Sequence, residues 1–101
     1  MKWYNKIMAT THNLYTIGDS AAVAVSPTIT HGGMDITIQN VNNSGYLYVG
    51  ADNVSSTNYG FRILPNHAIS VELSGKANLY VIASAPGMKA AVLTTNLEAG
   101  S

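Results

Sequence analysis

The chain has 101 residues, enough for one domain, and 47% of them are hydrophobic, so it can bury a core and does not have the composition of a disordered segment. Only 10% are charged, five basic against five acidic, where an ordinary soluble domain carries roughly 25%. No net field exists to attract nucleic acid or an anionic membrane, and the longest apolar runs, such as Ala21–Val25 and Leu79–Ala83, fall far short of a bilayer span.

So few charges protect a free monomer poorly against self-association. They point to an assembly in which much of the surface is covered; a coat of Asn, Ser and Thr is the other way such a chain stays soluble. There is no Cys, hence no disulfide framework, thiol nucleophile or thiolate metal site.

Residues 1–13 read as an N-terminal arm ahead of a single domain over 14–101. They show neither alternation nor a helical stripe, yet carry Trp3, Tyr4, Ile7 and Met8. Such a segment is either a docking arm or a frayed terminus. Lys2 and Lys6 are not followed by an apolar run, so no secretory signal is expected, and synthesis in the cytoplasm is.

From residue 14 onward the hydrophobic period is two. Met34, Ile36 and Ile38 alternate with Asp35, Thr37 and Gln39, and Ile69, Val71 and Leu73 alternate with Ser70 and Glu72. Tyr46–Val49 and Leu79–Ile82 are apolar on both faces, as strands central to a sandwich are, or strands that turn tyrosines toward another subunit. Turn residues punctuate these runs at Gly18-Asp19-Ser20, Ser26-Pro27, His31-Gly32-Gly33, Asn42–Gly45, Pro65-Asn66, Ser74-Gly75 and Pro86-Gly87. The pattern predicts strands near 14–17, 20–25, 34–41, 46–50, 59–63, 68–73, 78–84 and 88–94, with no helix. About seven or eight short strands with turns every ~8–12 residues indicate an all-β antiparallel sandwich, jelly-roll or immunoglobulin-like, or a small barrel.

Chemistry-bearing constellations are sparse. Gly18-Asp19-Ser20 is the sequence of one class of serine esterase, but Ala9, Thr28 and Leu64 stand three residues before His12, His31 and His67, so no Asp-x-x-His element supplies a base. It reads as a turn. The three histidines share no metal-ligand spacing, and His67, just after Pro65-Asn66, is placed to satisfy backbone groups. Asp19, Asp35, Asp52, Glu72 and Glu98 form no evident acid pair, and Gly50-Ala51-Asp52-Asn53 lacks the acidic repeat of an EF-hand loop. No phosphate-binding loop occurs, and Lys2, Lys6, Arg62, Lys76 and Lys89 are scattered. Neither catalysis, a cofactor nor a metal is expected.

The aromatic residues carry the remaining signal. Tyr59-Gly60-Phe61-Arg62 joins two aromatics to the single Arg of the chain, and aromatics with Arg are the preferred anchors of protein interfaces. The candidate interface residues are Trp3, Tyr4, Ile7, Tyr46, Tyr48, Tyr59 and Arg62, with Phe61 expected in the core.

The run Gly45-Tyr46-Leu47-Tyr48-Val49-Gly50, followed by Tyr59-Gly60-Phe61-Arg62-Ile63, Leu64-Pro65-Asn66-His67-Ala68-Ile69-Ser70 and Leu79-Tyr80-Val81-Ile82-Ala83, resembles small β-sandwich structural proteins of tailed bacteriophages, the decoration (cement) and head-fibre type. The likeness spans residues 34–94 and departs at Pro65-Asn66, where Pro-Gly or Ala-Gly is usual. It implies a virion protein on the capsid exterior, bridging major capsid protein subunits as a homo-oligomer, dimer or trimer, with no nucleic-acid or membrane partner. A receptor- or carbohydrate-binding module of a phage fibre or tail is the alternative. It implies no catalytic residue.

Overall fold

A computed structural model describes residues 10–27 and 32–96. Eight strands follow in chain order: β1 (Thr10–Ile17), β2 (Val23–Ala24), β3 (Met34–Asn40), β4 (Leu47–Gly50), β5 (Phe61–Ile63), β6 (Ala68–Leu73), β7 (Tyr80–Ala83) and β8 (Met88–Asn96). Among the described residues there is no helix, and hence none long and apolar enough to cross a membrane.

The strands form two four-stranded sheets, ordered β1-β8-β3-β6 and β2-β7-β4-β5, and every pairing is antiparallel. First pairs with last, second with seventh, third with sixth and fourth with fifth. The chain is thus one long hairpin, closed between β4 and β5, whose successive strand pairs alternate between the sheets. That is the jelly-roll arrangement, not the immunoglobulin order of ABED on CFG.

The period-two pattern decides what lies between the sheets. Ile36, Ile38, Leu73, Met88, Ala90 and Val92 project inward from one sheet, and Leu47, Val49, Ile63, Val81 and Ala83 from the other. Each Leu, Ile or Val side chain withdrawn from water there contributes roughly 1.5–3 kcal/mol. The turn into β6 uses a specific chemistry. Pro65 and Asn66 occupy the two central positions of a turn closed by His67 N–H donating to the Leu64 carbonyl at 3.0 Å. Asn66 has φ 62°, the left-handed conformation that a type II turn requires at its second central position and that glycine or asparagine supplies.

The sheets are unequal. β1 and β8 have 8 and 9 residues, β2 and β7 only 2 and 4. At about 3.4 Å per residue, the first sheet overhangs the second. Residues facing inward on the overhang are polar, among them Thr11, Asn13, Thr94 and Asn96, and Thr11 and Thr94 join hydroxyls. They line an open groove of about 360 Å³ with Tyr15, Met34 and others.

This corrects the arm boundary. Residues 10–13 belong to β1, in register with Thr95–Val92. Thr-Thr-His-Asn does not alternate in hydrophobicity because no opposing sheet covers it, and so it does not read as a strand. Residues 1–9, including Trp3, Tyr4 and Ile7, lie outside the described residues.

Candidate functional site

The outward side of the β2-β7-β4-β5 sheet is where the aromatic residues gather. On β4, Leu47 and Val49 point into the core, so Tyr48 points out, and Tyr46 just before the strand shares its face. The register sets Arg62 opposite Tyr48 on one side and Ile82 opposite it on the other. Tyr48, Val54 and Ile82 form a second buried cluster, with Ala22 and Tyr80 packed against it.

The segment between β4 and β5 folds back over this face. Val54 N–H donates to the Ala51 carbonyl, Ser55 and Asn58 exchange backbone bonds, and Gly60 N–H returns to the Val49 carbonyl at 2.9 Å. Gly50 permits the fold-back, because a Cβ there would stand 3.2 Å from Val54 Cγ2. The loop thereby lays Tyr59 on Tyr48, with ring centroids 4.8 Å apart and an interplanar angle of 41°. Tyr46 meets Tyr48 edge-on at 6.4 Å. The Arg62 guanidinium sits over the Tyr46 ring, 4.8 Å from its centroid, close enough for a cation–π attraction.

Tyr46 and Tyr59 remain 37% and 43% exposed, whereas Tyr48 beneath them is 8% exposed. The face therefore consists of two accessible tyrosine rings and one accessible guanidinium, propped on a third, buried ring. Aromatic contacts of this kind contribute about 0.5–1.5 kcal/mol each beyond area burial, so the rings are held in place before any partner arrives.

Two carbonyls anchor the ends of this constellation. Asn40, the single buried polar residue among the described residues, donates from Nδ2 to the Gly45 carbonyl at 3.1 Å and to the Ile63 carbonyl at 3.0 Å. Those residues flank Tyr46 and Arg62. Asn40 Oδ1 accepts from the backbone N–H and the Nδ2 of Asn42, and Asn42 in turn exchanges two bonds with the Lys89 backbone. Tyr46 is held from its other side by Ser84, whose Oγ accepts its N–H and whose N–H reaches its carbonyl. Asn40 is thus a positioning residue that ties one sheet to the two strands carrying the site.

Of the sequence-derived candidates, Tyr46, Tyr48, Tyr59 and Arg62 come together. Tyr48 is a support and not a contact surface. Phe61 is not a core residue: it lies opposite Val49 on the edge strand β5 and is 50% exposed, because β5 sits where the sandwich ends. Asn40, Val54, Tyr80 and Ile82 belong to the site and were not singled out from sequence. Outward-facing Tyr80 and Ile82 could be recognised by their alternation with Val81, but the role of Asn40 carries no sequence signal.

The motifs weighed for catalysis do not converge. His67 Nδ1–H donates to the Pro65 carbonyl at 2.9 Å, as its position after the turn suggested. His12 lies on the outer face of the other sheet, and Ser20 is exposed in the bend after β1. Among the described residues no group of three His, Asp or Glu side chains could hold a metal ion, and no buried side-chain polar atom lacks a hydrogen-bond partner. Comparison with protein-family models and with curated proteins finds no match for this chain.

Proposed function

We propose that this chain is a non-catalytic virion structural protein, a decoration (cement) protein that binds the outside of a phage head and bridges major capsid protein subunits. The observation that carries the reading is the preorganised tyrosine–arginine face on a jelly roll poor in charged residues. Tyr46, Tyr59 and Arg62 stand ready as interface anchors, and rings already fixed by Tyr48 lose little entropy on docking. The sequence resemblance to phage decoration proteins supports the choice of partner, and jelly rolls are common among viral structural domains. Repeated weak contacts across a lattice lengthen residence without a strong single contact.

The test is co-sedimentation of the protein with capsids that lack it. Arg62→Ala and Tyr59→Ala should each lower apparent affinity at least about tenfold, equivalent to roughly 1.4 kcal/mol, while unfolding transitions stay near wild type. Unchanged co-sedimentation of both variants would remove this face from docking. The second reading, carbohydrate recognition on a fibre or tail, is favoured by the two accessible rings flanking Tyr48, since such rings stack on sugars. Binding to a glycan array that is lost in Tyr59→Ala would select it over the capsid.

A further inference from the structure

A second surface, on the opposite sheet, fits another copy of this chain. β1 is an outer strand whose neighbour among the described residues is β8 alone, and its pairing with β8 runs without a bulge from Thr10 to Ile17. Which of its backbone groups face outward follows from bonds further along the sheet. Asn40 N–H donates to His67 and its carbonyl accepts from Asn66, so Asn40 faces β6 and Gln39 faces β8. Lys89 N–H and carbonyl are both bonded to Asn42, on the β3 side. Alternation then turns Ala91 and Leu93 toward β3, and Ala90 and Val92 toward β1. Tyr15 and Asn13, opposite these, bond inward, leaving the N–H and carbonyl of His12, Leu14 and Thr16 directed at the open edge.

Natural edges are usually blocked by charge, proline, a bulge or shortness. β5 and β2 are short, with 3 and 2 residues. β6 carries Glu72 directly opposite Asp35, which sets two carboxylates beside that edge. Thr10–Ile17 has none of these defences: eight residues with no charged side chain and no proline. Its outward-facing side chains include Leu14, 64% exposed and the most exposed large hydrophobic among the described residues, beside Ala91 and near Leu93 at 46%.

We infer that β1 pairs antiparallel with β1 of a second copy about a two-fold axis at Leu14, joining two four-stranded sheets into one. Opposed residues in a continuous antiparallel sheet must share a face and a bonding direction. Centring on Leu14 satisfies both, opposing Leu14 to its own counterpart and His12 to Thr16, each pair exchanging both of its hydrogen bonds. The contact is self-complementary, as a two-fold interface must be. It brings no like charges together and merges the apolar patches of the two copies across the axis. This inference stands apart from the capsid reading, since it concerns the free protein and the other sheet.

The absence of cysteine makes the test clean. Sedimentation equilibrium of the full chain should show twice the monomer mass. Leu14→Lys should raise the dimer dissociation constant at least tenfold with an unchanged circular dichroism spectrum, while Ala68→Lys on the β6 edge leaves it unchanged. Oxidised Leu14→Cys should form a covalent dimer, the Cα spacing of about 5.5 Å in a bonded pair suiting a disulfide, whereas Asn13→Cys should stay reduced. A wild-type chain that remains monomeric at millimolar concentration, or a dimer indifferent to Leu14→Lys, overturns the interface. Cross-linking through Asn13→Cys in place of Leu14→Cys overturns the Leu14-centred register.

Discussion

Asn40 shows how one side chain converts a fold into a site. Its amide gives both hydrogens to carbonyls, of Gly45 ahead of β4 and of Ile63 on β5, and receives two from Asn42. Asn40→Ala leaves the Gly45 and Ile63 carbonyls facing a void, and leaving buried polar groups unpaired costs about 1–3 kcal/mol each. Urea denaturation should register a loss of roughly 2–4 kcal/mol. Asn40→Asp should be no milder, because a carboxylate has no hydrogen to offer either carbonyl. Gly45 is sensitive for a different reason. Its φ is 86°, and a Cβ would lie 2.9 Å from Met88 Cε and Sδ, so Gly45→Ala should cost about 1–3 kcal/mol by the same measurement. Phe61→Ala, by contrast, should cost less than about 1 kcal/mol, since half of that side chain is already in water. Ser20→Ala should leave stability close to wild type, because Ser20 is an exposed bend residue.

At the scale of an element, the β4–β5 hairpin and its loop form a unit held by few contacts. Val54 is the one residue of the 51–60 loop that is buried, and it packs against Tyr48 and Ile82. Val54→Ala should loosen the loop while leaving the sandwich core intact. The expected outcome is faster proteolytic cleavage within 51–60, with a global unfolding transition lowered by no more than about 1–2 kcal/mol. Because the loop presents Tyr59, the same variant should dock less well than its stability alone explains. The tyrosine face and the β1 edge lie on different sheets, so substitutions at the two should act independently.

For the whole molecule, far-UV circular dichroism should be β-dominated, and helix above about a quarter of the residues would be incompatible with the period-two pattern. The eight strands were legible because alternation and turn chemistry agree along the chain. Met34–Ile38 and Ile69–Leu73 alternate cleanly, and Pro65-Asn66 marks its turn by composition. The β1 start was not legible, because Thr10–Asn13 sits on an overhang with nothing to bury against. Phe61 misled for the converse reason: hydrophobicity states a preference for burial, whereas β5 offers it only an edge.

By itself, the sequence determined that this protein is all-β, that its short antiparallel strands form a sandwich or a small barrel, and that aromatics with Arg62 are its candidate contacts. Those properties are local: side-chain period, turn propensity and residue type act within a few positions of the chain. Tertiary structure decided the jelly-roll order, which depends on pairing first strand with last. It also decided that Tyr46 and Tyr59 flank a buried Tyr48, with Arg62 over one ring, and that Asn40 anchors them from a distant strand. These are long-range juxtapositions set by how two sheets meet, and no spacing along the chain encodes them.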